Sequence, residues 1–134
     1  MSTDAGVRWG WLRFMYIYTI VGAGGFGLGI IFAPRVVGSM LSFPSQDQVT
    51  FGITGGVYVA FAALSVLGLR SPLKFAPVLL LQLLYKSVWL LGVILPLLLT
   101  GRLLFHGAIL AAIFATYIIG DLIAIPFRRV FAKE

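Results

Sequence analysis

The sequence predicts an all-α integral membrane fold: a four-helix bundle of up-down topology, with a short amphipathic interfacial helix between the first and second spans. Three observations lead there. Of the 134 residues, 60% are hydrophobic and only 10% charged, against about 25% charged in soluble domains. So few charges cannot cover a water-facing surface of this size. Four stretches, near residues 14–33, 51–69, 73–99 and 103–127, reach the roughly 20 apolar residues needed to cross a hydrocarbon core. None of them shows the apolar–polar alternation that a membrane β-barrel requires. The joints between them are short, which predicts one domain over residues 1–134.

The first span carries the string GAGGFGLG at 22–29. Gly25 and Gly29 stand four residues apart, the spacing that lets two helix backbones approach closely. The second span offers a matching small-residue face at Gly52, Gly56, Ala60 and Ala63, so an intrachain pair is the simplest expectation. A nucleotide-binding glycine loop is excluded, because no strand precedes the string and no acidic residue follows it. Between Pro34 and Pro44, the apolar residues Val36, Val37, Met40 and Leu41 recur at helical spacing, which predicts the interfacial helix. Ser45 and Gln48 then read as a capping box opening the second span. The third span is longer than a bilayer needs, and Pro96 is the expected kink. Thr100-Gly101 makes a tight turn into the fourth span, which ends at Pro126.

The polar residues inside the spans are few. Lys86 stands near the middle of the third span, where a charge costs roughly 3 kcal/mol on insertion scales. Such a charge needs a partner, a wet cavity or a task. Gln82 lies four residues before it on the same helical face. On the fourth span, Tyr117 and Asp121 share a face by the same rule. Counting from Gly101 at 1.5 Å per residue puts Gln82 and Asp121 almost level, and Lys86 about 8 Å away from Asp121. Lys86 leans toward Asp121, so an ion pair, direct or bridged by Gln82, is one expectation. Tyr58 on the second span is a further acceptor for the ammonium. Tyr85 and Trp89 form either a packing stripe or the walls of a flat apolar ligand site.

Several function classes fall away. The chain has no cysteine and one histidine, His106, so disulfides, thiolate metal sites, iron–sulfur clusters and multi-histidine sites are excluded within one chain. A solitary axial ligand is the most His106 offers; no metal site is expected, and no cofactor is required by the sequence. The net charge of +6 does not point to nucleic acid, because the basic residues gather at span ends, where they meet lipid headgroups. Arg8, Arg13, Arg70, Lys74, Arg128, Arg129 and Lys133 fall on one side, and only Arg35 and Arg102 on the other. Seven against two predicts both termini in the cytoplasm. Trp9, Trp11, Tyr16 and Tyr18 are then expected as an aromatic belt at that interface. The first span is expected to be retained, since it exceeds a signal-peptide core and no A-x-A site follows it.

The glycine-rich first span, the Ala33-Pro34 exit, the glycines at 52–56 and the overall length resemble the DoxX-like group of small four-span bacterial membrane proteins. The resemblance covers span order and brings no catalytic motif. It implies a bacterial inner-membrane protein, sometimes an accessory to membrane redox systems. Three functions stay open from the sequence. The first is an accessory or structural subunit, packing in a larger complex or with itself. The second is a small oligomeric transporter or channel lined by Lys86, Asp121 and Gln82. The third is a lipid- or quinone-binding module using Tyr85 and Trp89. No motif in the sequence fixes a reaction, so an enzyme is disfavoured and stays open.

Overall fold

A computed structural model describes residues 6–134. The described chain is helical: α1 Trp9–Phe32, α2 Pro34–Met40, α3 Gln48–Arg70, α4 Ala76–Trp89, α5 Leu95–Leu99, α6 Phe105–Ala124 and α7 Phe127–Val130. A single π-helical turn, Leu90–Ile94, joins α4 to α5. Four helices are long and apolar enough to cross a membrane: α1, α3, the continuous Ala76–Leu99, and α6. The chain is thus a small multi-pass membrane protein built as a helical bundle.

The π turn has a covalent cause. Pro96 lacks an N–H and its ring crowds the carbonyl four residues back. The preceding turn widens, and the Leu95 N–H bonds to the carbonyl of Leu90. The strain expected at Pro96 is therefore taken up as a π bulge one turn earlier.

The opening of α3 differs from expectation. Asp47, not Ser45, is the N-cap, and its carboxylate accepts the Thr50 N–H at 2.9 Å. Aspartate two residues on competes successfully because its charge also suits the positive end of the helix. That hydrogen bond holds the exposed Asp47 carboxyl below its ordinary range. At the same end of the bundle, α2 closes with Ser42 in the left-handed region, φ 58°. The Ser42 N–H reaches Ser39 O at 3.3 Å, and the Phe43 N–H reaches Gly38 O at 2.8 Å. Gly101, φ 68°, closes α5 the same way, through Gly101 N–H to Leu98 O and Arg102 N–H to Leu97 O. Both are Schellman closures, and the first fixes where Phe43 points.

α1 packs chiefly on α3, as an intrachain pair. The close approach runs through other glycines than the spacing suggested. Gly25 has nothing within 4 Å of where a Cβ would stand, and neither Gly52 nor Gly56 does. Gly29 faces Val37 of α2. The contact is made by Gly24 against Ala62, Gly27 against the Gly55 carbonyl and Val59 amide, and Gly55 against Ile30. The glycine string is dense enough to offer two faces, and packing of the whole bundle selects the one one residue around the helix.

The densest core lies toward the termini, around Leu12, Met15, Tyr16, Leu79, Leu83, Tyr117, Ala124 and Ile125. Tyr16 is fully buried there and donates to the Pro72 carbonyl at 2.7 Å. Gly68 leaves room for its ring. Tyr18 stacks on Tyr117 with centroids 4.2 Å apart. Of the expected belt, Trp9 and Trp11 are exposed and Tyr16 is fully buried; Tyr18 is half-buried, with its hydroxyl on the exposed Thr116.

Candidate functional site

The site begins with two levels of polar side chains between α1, α4 and α6. At the lower level, nearer the termini, Gln82 of α4 meets Asp121 of α6. The Gln82 amide nitrogen donates to Asp121 Oδ2 at 3.1 Å and lies 3.4 Å from Oδ1. It also lies 3.3 Å from Thr19 Oγ1 of α1. Thr19 spends its own proton on the Met15 carbonyl at 2.8 Å, so it accepts from the amide. All three side chains are inaccessible to solvent. Thr19 was not singled out from the sequence; its signal was a lone threonine in the middle of an apolar span.

Lys86 stands one turn above Gln82 and is 1% exposed. Its ammonium makes no hydrogen bond or ion pair with any described residue. The expected bridge to Asp121 is not formed: Gln82 is spent on Asp121 and Thr19, and Asp121 acts on Lys86 only at a distance. The ammonium instead sits among aromatic faces. Its nitrogen is 3.9 Å from the ring centroid of Tyr117, 4.7 Å from Phe114 and 5.0 Å from Tyr85. Each such contact contributes on the order of 0.5–2 kcal/mol. The rings neutralise part of the field but accept no proton from the ammonium. Phe114 was also missed in the sequence, although it lies three and seven residues before Tyr117 and Asp121 on one helical face.

Around this cage the bundle is hollow. A cavity of about 210 Å3 is lined by Lys86, Tyr117, Phe114, Tyr58 and Phe26, with Gly22, Ala23, Leu110 and Ile113 at its side and Leu41 above. A second cleft of about 380 Å3 adjoins it, sharing Phe26, Tyr58, Leu110 and Phe114. Tyr85, Trp89, Phe43, Gln46 and His106 complete its walls. Phe43 closes on His106 at 5.1 Å and on Phe51 at 5.9 Å between centroids. The Tyr85 hydroxyl is buried beside the Tyr58 hydroxyl, without a partner in full hydrogen-bond geometry.

The hollow borders the seam between α1 and α6. Near the termini the α1/α6 seam is closed by the Tyr18–Thr116 hydrogen bond at 2.6 Å, the Tyr117 hydroxyl donating to Tyr18 O at 3.1 Å, and Arg8 donating to Ile123 O at 3.2 Å. Gly22 makes room for the Tyr117 hydroxyl. Above Gly22 the cavity is lined by Ala23 and Phe26 of α1 and by Leu110 and Ile113 of α6, and Ile113 is 40% exposed.

The structure therefore brings Gln82, Asp121 and Thr19 together, and Lys86 with Tyr85, Tyr117 and Phe114. Tyr58 and Trp89 line the adjoining hollow, and His106 stands there beside Phe43. No group of three or more metal-ligating side chains occurs among the described residues. No protein family matches the sequence, and no curated protein or solved structure is significantly similar to it.

Proposed function

We propose that this small multi-pass membrane protein is a binding module for a lipophilic molecule that carries a hydrogen-bond acceptor. The observation behind this reading is Lys86: a buried ammonium, without an acceptor, facing an apolar cavity. A charge so placed is costly, and a ligand acceptor that meets it recovers part of that cost. The aromatic walls supply area for an apolar or ring-containing body.

The accessory-subunit and self-association readings drew on the short loops, the absence of a soluble domain and the glycine faces. Gly24, Gly27 and Gly55 are occupied within the chain, while Gly25, Gly52 and Gly56 stay open, so self-association is the second reading. A channel needs a path past the lower polar level. There the packed core around Leu12, Met15 and Leu83 leaves Gln82 and Asp121 inaccessible, which favours access from one side. With the seven basic residues at the terminal end, the positive-inside rule puts both termini in the cytoplasm and the cleft in the outer half of the bilayer. We place the protein in a bacterial inner membrane on that basis and on its layout.

The test is native mass spectrometry of protein released from mild detergent. A stoichiometric small-molecule adduct, lost in Lys86→Met, is the expected result. A species free of small molecules but carrying a stoichiometric second protein would return the accessory role to first place.

A further inference from the structure

The reading of this protein as a ligand-binding module leaves open the chemistry of the ligand's polar end, and the site restricts it. We propose that the group held at Lys86 is a carboxylate on a long apolar tail, entering sideways from the bilayer through the seam between α1 and α6.

Charge argues first. The Lys86 ammonium is 1% exposed and touches only ring faces at 3.9–5.0 Å. A neutral carbonyl or hydroxyl would satisfy one donor and leave the charge uncompensated in a low-dielectric pocket. A carboxylate does both. Donor count argues second. Lys86 lines the smaller cavity and Tyr85 the adjoining cleft, and Tyr58 and Phe114 line both. These few donors suit the two oxygens of one carboxylate. A phosphate monoester, with more oxygens and a larger charge, would leave oxygens buried against carbon, which is costly. The route argues third. Ala23, Phe26, Leu110 and Ile113 present no polar side chain at this seam, so a tail lying in the bilayer meets only apolar wall. Arg35 and Arg102 lie outside this seam, so the seam itself selects for no charge before Lys86 is reached.

Asp121 supplies an internal control. It stands four residues beyond Tyr117 on α6 and forms no ion pair with Lys86. A bound carboxylate is repelled by its charge. Removing its charge while keeping a Gln82 partner strengthens carboxylate binding and does not strengthen binding of a neutral tail.

The experiment is photolabelling of purified protein in detergent with palmitate bearing a terminal diazirine, competed by palmitate, hexadecanol or hexadecyl phosphate. Expected is saturable labelling on α1 or α6, competed at least tenfold better by palmitate than by either analogue. It falls at least tenfold in Lys86→Met, persists in Lys86→Arg, and rises in Asp121→Asn. Ile113→Trp, which fills the seam and leaves Lys86 in place, lowers labelling as well. Each variant is first shown monodisperse and helical; if Lys86→Met does not fold, the analogue competition and Ile113→Trp decide. Equal competition by hexadecanol overturns the carboxylate assignment and leaves the binding module standing. Saturable labelling competed best by hexadecyl phosphate overturns it in favour of a phosphate. Non-saturable labelling, unchanged by every competitor, overturns both.

Discussion

The ammonium of Lys86 lies 3.9 Å from the centre of the Tyr117 ring, four residues from Asp121 on the same helix, yet forms no pair with that carboxylate. A cation held by rings is weakly anchored: ~0.5–2 kcal/mol per contact, against roughly 3 kcal/mol for placing the charge in the membrane. Lys86→Met keeps the volume and removes the charge. The expected outcome is a melting temperature equal to or above that of the wild type in detergent, with ligand binding lost. A fall of several degrees with binding intact would make Lys86 a structural brace.

One turn below, Gln82 and Asp121 depend on each other. Gln82→Leu strips the described donor from a fully buried carboxyl. The expected loss is about 1–3 kcal/mol. Asp121→Leu alone leaves the amide on Thr19 as its remaining acceptor, at a smaller cost. The double replacement, Gln82→Leu with Asp121→Leu, removes both polar groups and recovers most of the stability. A double-mutant cycle by denaturant titration reads the coupling; strictly additive losses would show that the contact contributes nothing.

The glycines divide sharply. A Cβ on Gly27 would stand 2.8 Å from the Gly55 carbonyl oxygen and 2.9 Å from the Val59 nitrogen. Both are backbone atoms that cannot swing aside. Gly27→Ala is expected to cost about 1–3 kcal/mol through overpacking. Gly25→Ala, with open space around it, is expected to be neutral or slightly stabilising, because alanine favours the helix. Thermal melting of the two variants side by side checks the register of α1 on α3.

That register marks where the sequence ceased to inform. The spans were legible because hydrocarbon thickness sets a length, and Gly101 and Pro34 punctuate it. The levelling of Gln82 with Asp121 followed from counting 1.5 Å steps from one turn. The rotation of each helix did not follow. A helix that is apolar all round carries no polar face to mark its outside, so Gly25 and Gly24 were equivalent until packing chose between them. Tyr16 went into the core for a related reason: tyrosine suits both an interface and a core that offers a carbonyl. For Lys86, sequence spacing located the charge. Its partners depended on side-chain direction and on Phe114, an apolar residue with no polar signal of its own.

Asp47 gives a prediction that separates charge from shape. Its carboxylate accepts the Thr50 N–H, and its folded-state pKa lies below the ordinary value, about 3.9 in an unfolded chain. A depressed carboxyl contributes stability that is fully present above the unfolded value and is lost as pH falls through the lower folded value. The contribution of Asp47 is therefore constant from neutrality down to about pH 4 and fades below it. Asp47→Asn keeps a capping side chain that does not titrate. Melting temperatures followed from about pH 6 to about pH 2.5 should fall further for the wild type than for Asp47→Asn, with the curves converging at the acid end. Parallel curves would mean that the Thr50 hydrogen bond does not depend on the carboxylate charge.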